Sequence, residues 1–390
     1  MGRESRLARL AIAVIAFALT ASSTMIGDGT ARASTQVRPV VSTSLSIPGN
    51  LVSVAATSPT DVWAVGSFGN PSPKPTSPLI VHWNGARWTR VTVPHFPYGE
   101  LNAVAAVSKN DAWAVGYNET QVPGYLDPPS TLVLHWNGKV WRPVSSLFDS
   151  IYIPIALSAT ATQVWVEAYA DGIEFMHYVG GHWYFVPVAR QPAQEAGPDT
   201  LAMPGPKDGW LGTTVQPNNS SDASLFLMRW DGSTWKHVPF KVSDPYDVIN
   251  AMAAMPGGAV WAVGQQAADP NNLNTFRAMS LRWDGKAWRE VPVNIPGALN
   301  FEGVGKIPGG TAWAVGWFYT GSNGNGALIA LWTGTAWELA PSLPGFWGDS
   351  LQAVVATSAS NAWAVGWTFT PAPSNTEVTV ILHWNGTTWS

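Results

Sequence analysis

The 390-residue chain contains no cysteine. That excludes disulfides, thiolate metal sites, a cysteine nucleophile, a cysteine–tyrosine copper site and lipid attachment at an N-terminal cysteine. A domain of this length can bury enough core to need no covalent staple. Charge is also scarce, at 12% of residues against 46% hydrophobic. No run of Lys or Arg follows residue 33, which argues against a nucleic-acid or anionic-membrane footprint. G-x-S-x-G, H-E-x-x-H, phosphate-loop and EF-hand patterns are all missing. No apolar run is long enough to anchor the chain in a membrane. Leu10 to Ala21 has 12 residues, well short of the ~20 that cross a bilayer.

That short run instead reads as the core of an export signal. Arg3, Arg6 and Arg9 form a basic start, and Ala31-Arg32-Ala33 offers a small-x-small cleavage site before Ser34. Residues 1–33 are therefore expected to be a signal peptide, and 34–390 a single secreted domain. That domain would carry a formal charge of −6.

What the chain has in abundance is tryptophan. Trp63, Trp113, Trp165, Trp210, Trp261, Trp313 and Trp363 recur at intervals of 45 to 52 residues, most within a W-A-V-G string. A second series runs through Trp83, Trp136, Trp230, Trp283, Trp332 and Trp384, with Tyr178 in the third copy. A third comprises Trp88, Trp141, Trp183, Trp235, Trp288, Trp337 and Trp389. Together they use 20 of the 23 tryptophans, so the period is built into the sequence. Each copy divides into four short runs rich in β-branched and aromatic residues, bounded by turn formers. Seven such copies predict an all-β, seven-bladed β-propeller of four-stranded antiparallel blades.

Turn chemistry refines this. Asn84-Gly85, Asn137-Gly138, Asp231-Gly232, Asp284-Gly285 and Asn385-Gly386 separate third from fourth strands. They predict two-residue type I′ hairpins with positive φ at both centres. Between first and second strands stand either Ser with Asp or Asn (Ser58/Asp61, Ser108/Asp111, Ser358/Asn361) or Pro-Gly (Pro256-Gly257, Pro308-Gly309). The chain stops at Trp389-Ser390, where other copies continue their fourth strand, while Arg38-Pro39-Val40 mimics Arg142-Pro143-Val144. Residues about 36–41 are therefore expected to complete the outer strand of blade seven.

With two tight turns per blade on one face, the longer second-to-third loops and the blade-to-blade links gather on the other. The loops expected there include Asn70–Pro78, Gln121–Ser130, Pro217–Asp222, Ala267–Thr275, Thr320–Gly326 and Pro371–Thr376, with a notch at blade three. Function on a repeat scaffold usually lies where the loops vary. The three tryptophans outside the repeat, Trp317, Trp347 and Trp367, fall on this face beside Tyr319, Phe346 and Phe369. They offer an aromatic platform for sugar rings or a protein partner. Trp317 and Trp367 follow W-A-V-G directly, so they also read as extensions of the interblade packing. A second pattern is acidic: Glu100, Asp149, Asp199, Asp247, Glu302 and Asp349 lie at or near the entry to first strands. They could ring the channel mouth and attract a cation or a basic partner, or be ordinary turn residues.

Other groups invite chemistry and are better explained by structure. His82, His135, His177 and His383 share one repeat position with Arg229, Arg282 and Leu331. They sit on separate blades, so they read as structural histidines and not as metal ligands. Asp61, Asp111 and Asp208 read as turn formers. Blade three gathers Glu167, Tyr169, Asp171, Glu174, His177 and Tyr178 within twelve residues, the best place for catalysis if the chain has any. Drift of one repeat explains the same cluster.

Asp61-Val62-Trp63-Ala64-Val65-Gly66 with His82-Trp83-Asn84-Gly85-x-x-Trp88 resembles the repeats of bacterial secreted kelch-like propellers. The Asn/Asp-Gly-x-x-Trp part is similar to the Asp-box of sialidase-type propellers. The resemblance covers residues about 37–390 and implies architecture more than activity, because such propellers host lectins, enzymes and assembly factors. The expectation is a non-enzymatic, monomeric recognition or scaffold propeller, binding an extracellular glycan or protein without cofactor or metal. The alternatives are a sialidase-like glycan-active enzyme and an assembly scaffold for an envelope complex.

Overall fold

The computed structural model describes residues 45–69, 76–96, 98–118, 121–122, 125–126, 130–146, 152–169, 173–188, 200–215, 224–240, 247–269, 272–319, 325–340, 350–370 and 374–390. They form seven antiparallel blades in a ring, strands running inner to outer in chain order. Blade one is typical, with strands Gly49–Ser58, Asp61–Phe68, Ser77–Trp83 and Trp88–Arg90. Blade seven has three strands, Ser350–Ser358, Asn361–Phe369 and Glu377–Trp384, and a bridge from Trp384 to Trp389 that begins its fourth.

The core lies between blades. Seven apolar clusters form, and each joins two consecutive blades. At the centre of each is a first-series tryptophan, no more than 5% exposed. Trp63 packs edge-on against Trp141 of blade two, 5.2 Å between centroids and 87° between planes. Trp210 and Trp288, and Trp313 and Trp389, repeat the arrangement at 5.0 and 5.2 Å. Such edge-to-face pairs contribute beyond their buried area, because the positive ring edge meets the negative face. The glycine that ends W-A-V-G has its own reason. A side chain on Gly316 would collide with the Asn300 carbonyl, where the inner strand of blade six passes close and bulges at Glu302.

The ring closes in the same way, with Trp363 of blade seven against Trp83 and Trp88 of blade one. Hydrogen bonds add a clasp from the N-terminal side. The Thr379 hydroxyl donates to the Leu45 carbonyl at 2.8 Å and accepts from the Ile47 amide at 3.1 Å. The Thr379 amide donates to the Ile47 carbonyl at 2.9 Å. Residues 36–41, expected to complete blade seven, lie outside the described residues.

The hairpin turns differ from expectation. Trp83 pairs with Trp88, so four residues, not two, connect third and fourth strands. Gly85 takes positive φ and Asn84 does not. The Asn84 side chain instead accepts from the amides of Ala86 and Arg87, at 3.0 and 3.1 Å. Asn137, Asp231, Asp284 and Asn385 do the same in their blades. An Asx cap thus supplies what a type I′ turn would have gained from a second positive φ. Two-residue geometry occurs in blade three, where Val179 pairs with His182 and both Gly180 and Gly181 have positive φ.

Candidate functional site

Topology sets the two faces apart as expected. The starts of inner and third strands and the ends of second strands share one end of every blade. Part of its irregular appearance in sequence is strand. The expected loop at Ala267–Thr275 is largely an extended hairpin, Val260–Asp269 with Asn272–Trp283, pairing out to Asp269 and Asn272. Within Gln121–Ser130, Gln121–Val122 pairs with Tyr125–Leu126.

On this face Tyr319 and Phe369 end the second strands of blades six and seven and are 56% and 41% exposed. Trp367 is half-buried and packs against Phe369, 5.3 Å and 73° apart. Trp317 is half-buried too, and its Nε1 donates to Glu302 Oε1 at 3.2 Å. Phe346 and Trp347 lie outside the described residues. The four described aromatics therefore divide into two exposed rings and two anchored indoles, on neighbouring blades.

Glu302 belongs to a polar relay. Asn300 Nδ2 donates to the same Glu302 oxygen at 2.8 Å. Asn250 Nδ2 of blade five donates to Asn300 Oδ1 and the Phe301 carbonyl, at 2.8 and 2.9 Å. Burial pushes the Glu302 carboxyl above the ordinary range, opposed by the hydrogen bonds from Trp317 and Asn300. Burial also raises Glu377; a hydrogen bond from Asn50 opposes it and the nearby Glu100 charge reinforces it.

The acidic pattern resolves into three different registers. Glu302 occupies the bulge of its inner strand, whereas Glu100 lies opposite Tyr117 and accepts from Tyr117 and Thr76, both at 3.3 Å. Asp247 is buried just before its inner strand. These three groups consequently do not form one even ring. Asp149, Asp199 and Asp349 lie outside the described residues.

The histidines are structural. His82 stacks on Trp63 at 4.0 Å and bonds Asp61 Oδ1 at 2.7 Å. His135 pairs likewise with Asp111, His177 with Gln163 and His383 with Asn361, each stacked on the tryptophan of its own blade. Arg229 bonds Asp208 at 3.1 Å in blade four. Asp61, Asp111 and Asp208 thus do more than form turns. No group of three or more His, Asp or Glu suited to a metal ion occurs among the described residues. In blade three, Glu167 is fully buried at the position Val65 holds in blade one, and His177 is lowered by burial. Asp171 lies outside the described residues, and Tyr169 is described in its backbone alone.

No family model and no curated protein matches the chain. Solved structures do. A polysaccharide lyase of the PL25 family, an ulvan lyase, aligns with TM-score 0.57 and 9% identity over 87% of this chain and 94% of its own. The β-propeller domain of the Trilobed protease from Pyrococcus furiosus, described as having an open velcro topology, aligns with TM-score 0.51 and 9% identity. It covers 88% of this chain and 97% of its own. At this identity the likeness shows the propeller fold.

Proposed function

We propose that the chain is a secreted, non-enzymatic recognition propeller of the kelch-like kind, which binds an extracellular glycan or protein with its loop-rich face. One observation carries the reading. The repeat tryptophans go into interblade packing, while Tyr319 and Phe369 stand exposed on adjacent blades, backed by Trp317 and Trp367. Rigid aromatic surface on a fixed scaffold suits stacking on sugar rings or anchoring a partner side chain.

The test is a glycan array with the mature chain and the double variant Tyr319→Ala/Phe369→Ala. Saturable binding to a glycan class, weakened at least tenfold in the variant, supports the reading. Binding that the variant retains in full would overturn the role of these aromatics. An array without any binding moves the search to protein partners of the same face.

A further inference from the structure

The tight-turn face of blade five breaks a rule that its sister blades obey. In blades one to four and seven, the side chain stacked over the first-series tryptophan hydrogen-bonds a polar side chain two residues before that tryptophan. In blade four a carboxylate accepts from the arginine, and in blade seven an amide donates to the histidine. The pairs are His82 with Asp61, His135 with Asp111, His177 with Gln163, Arg229 with Asp208 and His383 with Asn361. Blade six has Leu331 and needs none. Blade five keeps the cation, Arg282, 5.7 Å from the Trp261 ring centre, but has Ala259 where the acceptor belongs. The Arg282 Nε is buried and meets no acceptor among the described residues. A buried donor left so carries the desolvation penalty of that group with no hydrogen bond to offset it.

The surroundings fit a missing anion. Arg282 lies directly across from Arg289, a like-charge pairing that opposes the sheet. Arg289 is held by Asp284 at 3.0 Å, and Lys286 belongs to the same turn. There is also room. A methyl group on Gly85, Gly138, Gly232 or Gly386 would fall 2.8 to 2.9 Å from the neighbouring first turn, whereas on Gly285 it would meet nothing within 4 Å. Gly257 and Gly258 of the facing turn are equally open. Blade six is equally open at Gly309, Gly310 and Gly334, but it carries Leu331 where blade five has the arginine.

We propose that the open turn end of blade five binds a carboxylate, which takes the place of the aspartate of sister blades and accepts from Arg282, with Lys286 and Arg289 nearby in sequence and pairing. A guanidinium presents donors in a fixed fork that matches a carboxylate. The carboxylate can belong to a sugar acid or a peptide, since both present the same two oxygens.

The test is thermal unfolding of the full mature chain with acetate, glucuronate or N-acetylglycinate, at pH 7 and constant ionic strength set with chloride. Two variants accompany it. Arg282→Leu copies Leu331 of blade six, and Ala259→Asp installs the sister acceptor in the chain itself. A saturable rise in melting temperature with carboxylate, absent in both variants, is expected. Ala259→Asp should be more stable than the parent without added anion. A larger response to glucuronate or to N-acetylglycinate identifies the source, and either supports the site. No response in the parent, or an equal response in all three proteins, would overturn it.

Discussion

Trp363 of the last blade meets Trp88 of the first edge-to-face, at 5.2 Å and 86°, in the geometry that Trp63 and Trp141 adopt between blades one and two. The closing interface is thus built like the internal ones, although the chain is continuous across those and not across this. Trp363→Ala should therefore cost what a buried aromatic costs anywhere in the ring, about 3–5 kcal/mol. Urea unfolding of Trp363→Ala beside Trp63→Ala checks this. A much smaller loss at Trp363 would mean that the seam contributes little.

The Thr379 clasp is a separate element. Thr379→Val removes both hydroxyl bonds and leaves the Ile47 amide without its side-chain acceptor. The expected loss is about 1–3 kcal/mol, measured by equilibrium unfolding. Deleting residues 34–42 tests the expected outer strand of blade seven, and a sharply lower melting temperature is expected. An unchanged value would show that blade seven stands without it.

Glu302 makes stability depend on pH. Its carboxyl is raised in the folded chain, so the folded state holds a proton that the unfolded state has released. That contribution is complete below the ordinary glutamate value near 4.5 and disappears as pH rises through the raised folded value. Glu302→Gln keeps an oxygen for Trp317 and Asn300 and cannot ionise. Its melting temperature should match the parent near pH 4 and exceed it at neutral pH. A constant difference across that range would rule the titration out.

His383 has the opposite sign. Burial lowers its pKa, and its partner Asn361 is neutral, unlike Asp61 and Asp111 beside His82 and His135. Stability from His383 is complete above the ordinary value of 6.5 and is lost as pH falls through the depressed one. Asn361→Asp supplies a carboxylate, so it should raise the histidine pKa and reduce the loss at pH 5. Histidine proton NMR together with melting curves at pH 5 and 7 tests both halves.

The tryptophan period made the blades legible before any coordinates, because each interface uses the same ring at the same place. The turns were half legible. Asn84-Gly85 marked a turn, but its length follows from the pairing of Trp83 with Trp88, and spacing alone did not reveal the Asx cap. The acidic residues misled for a physical reason. Glu302 is the bulged residue of its strand, whereas the matching bulge of blade two falls at Asn102 and leaves Glu100 paired with Tyr117, so nearness to a strand start did not make the two acids equivalent. Arg282 and Ala259 were readable from the repeat, since blades one to four show what faces the side chain at that position. The signal was a mismatch between copies, quieter in the sequence than a conspicuous aromatic or acid.

The interblade indoles have an optical consequence. Trp63 and Trp141, Trp210 and Trp288, Trp313 and Trp389, and Trp363 and Trp88 are chromophore pairs about 5 Å apart at nearly constant angle. Excitations on such pairs couple, and because the ring repeats one handedness, the couplets add instead of cancelling. The intact ring should show an exciton signature in circular dichroism that fades when neighbouring blades part, even where each blade keeps its strands.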